Sequence, residues 1–209
     1  DLLHFDPIKA VMTANTVPKT VIAMAVHAAA VKIEVITGQV AALLQGIGVT
    51  DTKASAIAFA YRALAGVLAS ESDVVDLSAR SVITHVIQDA TLLAGADNAE
   101  SSRMGTLLSN AARTIGNFTQ TINTLSTGSQ GKKIILSKIA AVQIVAETIE
   151  NTMQSGAALG NISDAVARTT GAQLTKSLTA AAARVGDVNG DGKSDALPSP
   201  PSSGGGTGN

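Results

Sequence analysis

The stretch Met104–Ser126, MGTLLSNAARTIGNFTQTINTLS, places apolar side chains at Met104, Leu108, Ala111, Ile115, Phe118, Ile122 and Leu125. The steps alternate between four and three residues. That spacing brings one side chain per turn to the same face of an α-helix and forms the seam of a packed bundle helix. A half-buried strand would instead need apolar residues at alternate positions. The opposite face carries Asn110, Asn117, Thr121 and Thr124, so it is wet without being charged. This segment predicts a bundle helix, and the rest of the chain reads outward from it.

Downstream, beyond TGSQGKK, the residues Ile135, Ile139, Val142, Ala146, Ile149 and Met153 repeat the same seam. Gly160–Asn161 stops that helix and opens the last one, which is predicted to run to about Val185. Upstream, a helix from Ser78 to Ala94 ends at GADN. Before it, GIGVTDTKAS marks a break and a restart with Thr50 or Asp51 as cap, after which Ala54, Ile57, Tyr61, Leu64 and Leu68 share a face. The segment from about Pro18 to Gln45 is apolar nearly all round; its polar positions Thr20, His27 and Glu34 recur every seven residues as one narrow solvated stripe. A helix of that kind sits at the centre of its bundle. Asp6 and Pro7 fit the cap and first position of a further helix at the start of the chain. Strand-like runs such as VKIEVI and KKIILSKI fall inside longer helical periods, so no strand is predicted. Short Gly, Ser and Asn loops make sequence neighbours antiparallel. The expected fold is an all-α bundle of six or seven mostly antiparallel helices over residues 1–186. A non-helical loop at 187–197 and a Pro/Ser/Gly-rich linker or tail at 198–209 follow it.

Composition bounds the partners. Of 209 residues 45% are hydrophobic but only 2% aromatic, so the core must be built from Ala, Val, Ile and Leu. The formal net charge is −1, and the Lys and Arg residues are scattered. Nucleic-acid binding needs a basic stripe, so that class of partner is not expected. There is no cysteine, which excludes disulfides and Cys-ligated metal. The most apolar stretch, Val21–Ile36, is interrupted by His27, Lys32 and Glu34, so no transmembrane segment is expected. The sequence opens at Asp1 without an initiator Met, consistent with processing or with a piece of a longer protein.

The helical body offers little chemistry. His85 and Asp89 lie one turn apart and can hydrogen-bond, but a metal needs three or four converging ligands. His27 and Glu34 are two turns apart, about 10 Å, too far to share a ligand. His4 belongs to no pattern. No G-x-S-x-G elbow occurs, and the Gly-flanked GQVAALLQGIG lacks the strand and the Lys of a phosphate loop. Glu147 and Glu150, beside Asn151, read as ordinary solvent-facing residues. No catalytic site is predicted.

The stretch DVNGDGKSD differs from all of this. Asp187, Asn189, Asp191 and Asp195 occupy positions 1, 3, 5 and 9 of a D-x-N-x-D-G-x-x-D pattern. Gly192 allows the sharp turn that lets the carboxylates converge, and the Lys193 carbonyl falls at position 7. Hard oxygen ligands at alternate positions around a turn suit Ca²⁺. Position 12 is Pro198, so the bidentate carboxylate of an EF-hand is missing and no exiting helix can follow. Weak binding is expected, in the range of about 10⁻⁴–10⁻³ M typical of extracellular modules.

GDVNGDGKSDAL resembles the start of FG-GAP repeats, thrombospondin type 3 repeats and one half of a dockerin. DLLHFDPIKAVMTAN, followed by AMAVHAAAVKIEVITGQVAALL, resembles Ala-rich helical modules of very large secreted bacterial surface proteins of the adhesin kind. In those, an FDPI-like step joins one helical pair to the next. Both resemblances imply a location outside the cell or at its surface. They imply a structural or adhesive module, or a subunit of an extracellular assembly, with a calcium-stiffened C-terminal junction. Its partners would be copies of itself or adjacent domains. The competing readings are a helical domain that holds a small molecule in an apolar pocket and, lower, a calcium-dependent accessory domain of an enzyme.

Overall fold

In the computed structural model the described residues are 17–70, 74–96, 104–126 and 132–185. They form seven helices and no strand: α1 (Val17–Gly46), α2 (Lys53–Ser70), α3 (Arg80–Leu93), α4 (Gly105–Ser126), α5 (Lys132–Ala158), α6 (Ser163–Arg168) and α7 (Gly171–Val185). The all-α expectation holds for these residues, and both strand-like runs are helical. The first predicted helix, at Asp6–Pro7, lies outside the described residues.

α1 is the centre of the bundle. It packs most extensively against α5, then α2 and α4, and touches α3; α2, α3 and α4 follow one another around it, and α7 lies on the outer side of α5. Ile36, Val40, Ala41, Leu43 and Leu44 on α1 are fully buried, and each large aliphatic side chain so buried contributes about 1.5–3 kcal/mol. By length and a mean hydropathy of 1.6, Val21–Gly46 could also cross a membrane. A core helix passes the same test, and here four helices pack around it.

Chain direction can be read from side-chain neighbours. Ser78, just before α3, meets Asn123 near the end of α4, and Ile83 in the first turn of α3 meets Gly116 at the middle of α4, so this sequential pair is antiparallel. α1 and α5 run parallel: Glu34 meets Gln143, Gly38 meets Glu150, and Gly46 meets Gln154 and Ala157. Alternating up and down from α1 gives that result at the fifth helix.

The α4 and α5 seams are buried as their spacing predicts. Leu108, Ala111, Ile115, Phe118 and Ile122 are inside, as are Ile139, Val142, Ala146, Ile149 and Met153. α2 is different. Its buried face is Ala56, Ala60, Ala63, Leu64 and Val67, while Tyr61 and Leu68 are exposed. The contact residue is alanine because three small side chains on one face let α2 approach its neighbours closely. The larger Tyr61 and Leu68 are left at the rim.

Glycines stop the helices where the sequence places breaks. Gly48, Gly95 and Gly160 have φ of 78°, 100° and 69°, a region costly for other residues. At each, the glycine N–H and the next N–H reach back to carbonyls of the last turn; Gly48 N–H bonds to Gln45 O at 3.1 Å and Val49 N–H to Leu44 O at 3.2 Å. This is the Schellman arrangement. Two local expectations shift. α2 is capped by Thr52 rather than Thr50 or Asp51: the Thr52 hydroxyl oxygen accepts the Ser55 N–H at 3.1 Å. The last helix is broken in two at Thr169–Gly171, where the Thr169 hydroxyl donates back to the Ala165 and Val166 carbonyls and Gly171 takes φ of 52°.

Buried threonines solve their own polarity in the same way. Thr91, Thr114 and Thr119 each donate to the carbonyl four residues earlier. Gln39 does not: it is fully buried on α1, and neither its amide nitrogen nor its amide oxygen has a partner. An unpaired buried polar group costs about 1–3 kcal/mol.

Candidate functional site

The proposed calcium ligands Asp187, Asn189, Asp191, Lys193 and Asp195 lie outside the described residues, as does the 198–209 linker. Among the described residues no three His, Asp or Glu side chains come together in a way that could hold a metal. The helical candidates fall apart as a site. His27 is buried rather than part of a solvated stripe, while Glu34, two turns on, is exposed. His85 and Asp89 are both exposed on α3.

The structure does bring together residues that the sequence reading left apart or took as ordinary solvent-facing ones. Glu34 on α1, Lys53 at the start of α2, and Gln143, Glu147 and Glu150 on α5 line one cleft of about 330 Å³. α1 supplies the space. Gly38 has no side chain, and the Glu150 carboxylate lies where a Cβ would otherwise stand. Glu150 is therefore not an ordinary solvent-facing residue: its side chain is only 18% exposed, and its carboxylate sits 3.7 Å from the Lys53 ammonium. Gln143 donates its amide N–H to Glu34 at 2.6 Å, tying α5 to α1 beside the same cleft.

Desolvation by burial pushes the Glu150 carboxyl above its ordinary range. Lys53 pulls it down, and the negative charges of Glu147 and Glu34 push it up again. The cleft can therefore take up a proton or attract a cation. Because the folded state binds this proton more tightly than the unfolded chain, the ionisation of Glu150 opposes folding above its raised pKa. That penalty fades as pH falls. A Glu150→Gln chain is expected to melt at a higher temperature than the parent at neutral pH, with the gap closing under acid. Thermal melts across pH check this, and a gap that stays constant or widens on acidification would contradict it.

A larger concavity lies elsewhere, an open groove of about 740 Å³ along the C-terminal half of α5, the turn after it, and α6. Thr148, Asn151, Thr152, Ser155 and Asn161 line it, with Asp164 and Arg168 at one side. No family model, curated protein or solved structure matches the chain. The class that its geometry defines is an Ala-rich all-α bundle built around a central apolar helix.

Proposed function

We propose that the chain is a structural or adhesive module of a bacterial extracellular surface protein or assembly, with a calcium-stabilised C-terminal junction. The observation that carries this reading is the combination of a tightly filled core and an apolar face left open beside it. The core runs continuously from Ala23 on α1 to Ala181 on α7, and helices meet nearly backbone to backbone where α1 passes α5 at Gly46. Such a body resists deformation. The open face is on the first turns of α1, where Val21 and Ile22 are 60% and 63% exposed and Val26 is exposed beside them. Apolar side chains grouped this way mark contact surfaces. Copies of the chain or adjacent domains of a larger surface protein are the proposed partners, and no catalytic role is proposed.

The open, mixed polar and apolar lining of the groove along α5 and α6 weighs against the rival reading, a helical binder with a closed apolar pocket. The loop sequence at 187–195 supports the calcium junction and the extracellular location. Light scattering on the intact chain tests the contact surface. Self-association that grows with concentration and falls on Ile22→Lys substitution is expected; a strictly monomeric species at high concentration would contradict it.

A further inference from the structure

Beside the large groove, α5 and α7 enclose a smaller cavity of about 220 Å³, and the two share Thr148 and Arg168 as lining residues. Two arginines, Arg168 from the end of α6 and Arg184 from the last turn of α7, both line the smaller cavity. A cation at a helix C-terminus is ordinary, because it interacts with the free carbonyls there. That accounts for one arginine per helix end. It does not by itself explain why two arginines from different helices line one small cavity.

Neither arginine makes a hydrogen bond or ion pair with any described residue. Asp164 stands one turn before Arg168 and lines the neighbouring groove, yet no ion pair joins them. Ser177 lines the same cavity, and its hydroxyl has no partner among the described residues. The floor is apolar, formed by Ile144, Val145 and Ala181. α7 presents Ala180 and Ala181 to α5 there, and these short side chains leave the space open.

We infer that the two adjoining clefts between α5, α6 and α7 together bind a small hydroxylated carboxylate of the acidic-sugar class. The carboxylate would lie between Arg168 and Arg184, and the hydroxyls would run along the polar groove. Each part of the two clefts selects for one part of that ligand. A planar guanidinium matches a carboxylate with two parallel N–H···O bonds, and a second one completes the charge balance. The Ile144–Ala181 floor accepts the C–H face of a sugar ring, and the Asn151, Thr152 and Ser155 side chains offer donors and acceptors to its hydroxyls. A purely apolar acid would leave that groove unused, and a neutral sugar would leave both arginines unpaired. This inference does not depend on calcium at 187–195, and it gives the proposed adhesive surface a ligand chemistry.

The test is a titration of the intact ¹⁵N-labelled chain with glucuronate, with glucose and hexanoate as the neutral and apolar controls, followed by amide chemical shifts. Glucuronate is expected to give saturable shifts centred on Thr148, Ser155 and Ser177, with Kd on the order of 1 mM for a ligand of this size. Both controls should bind at least about fivefold more weakly, glucose because it lacks the charge-assisted bonds to the arginines and hexanoate because it lacks the hydroxyl contacts. Arg168→Ala and Arg184→Ala should each weaken glucuronate by about tenfold, and added salt should weaken it further. Both arginines are solvent-exposed, so the variants should keep the parent melting temperature. Absence of saturable shifts, equal binding of either control, or variants that bind as the parent does would each overturn the proposal. If a variant fails to fold, the comparison of the three ligands on the parent chain still decides it.

Discussion

A Phe118→Ala chain is expected to lose about 3–5 kcal/mol of stability, with Tm falling by about 10 °C. Phe118 is the largest of the fully buried side chains and shows no exposed surface. It projects from α4, which packs against α1, α3, α5 and α6, so the ring closes the space between several helices at once. The chain holds only three phenylalanines and no tryptophan, and its described core is otherwise Ala, Val, Ile and Leu with Met24 and Met153. Little in such a core can move to refill the volume of a lost ring. The flanking seam residues Ile115 and Ile122 are β-branched and stiff at χ1, and Ala111 and Ala112 have nothing to extend. Thermal and urea unfolding followed by circular dichroism measure the effect. A loss below about 1 kcal/mol, the scale of an ordinary substitution, would mean that the ring is not in the core and that the α4 register is wrong.

The same substitution, glycine to alanine, is expected to act in opposite directions at two helical positions. At Gly46 an added Cβ would stand 2.6 Å from the Ala157 Cβ and closer still to the Gln154 carbonyl oxygen. Neither neighbour is the free end of a flexible side chain, so α1 and α5 would have to move apart. Overpacking of that kind costs about 1–3 kcal/mol or more, against about 1 kcal/mol gained in helix propensity. A net loss of about 2 kcal/mol is expected. At Gly66, within α2, nothing lies within 4 Å of the new methyl group, and the propensity gain of about 0.5–1 kcal/mol should survive. Equal effects at the two sites, or a stabilised Gly46→Ala chain, would remove the close approach of α1 and α5.

These contacts mark where sequence patterning informs and where it does not. α4 and α5 were legible because their seams use large apolar residues at heptad spacing against a polar background. The helix ends at Gly48, Gly95 and Gly160 were legible because a left-handed turn after a helical period suits glycine. The α2 face was misread because alanine carries little weight in a hydrophobic pattern, although here it is the contact residue. The break at Thr169–Gly171 was missed because Thr and Gly are tolerated inside helices, and the hydroxyl bonds that close the turn leave no separate signature. Glu150 reads from its own helix as one more carboxylate beside Glu147. What buries it is Gly38, on a helix far away in sequence, and a lone glycine within a run of Val, Ile and Ala was the available hint. Arg168 and Arg184 likewise become a pair only when α6 and α7 fold back along α5. No periodicity links them. The D-x-N-x-D-G-x-x-D pattern is the reverse case: it lies within nine consecutive residues, and the calcium proposal is read from its spacing alone.

That motif carries the central claim, a calcium clip where a rigid helical body meets a Pro-, Ser- and Gly-rich tether. α7 ends at Val185, two residues before Asp187, and a helix C-terminus carries negative partial charge. Three carboxylates placed just beyond it would repel one another and that charge unless a cation gathers them. Isothermal calorimetry of Ca²⁺ into the intact chain and into an Asp191→Ala chain tests the claim most directly. The intact chain is expected to bind one ion with Kd of about 10⁻⁴–10⁻³ M, and the variant is expected to show no binding heat. Absence of calcium heat from the intact chain, or the same heat in the variant, would contradict it.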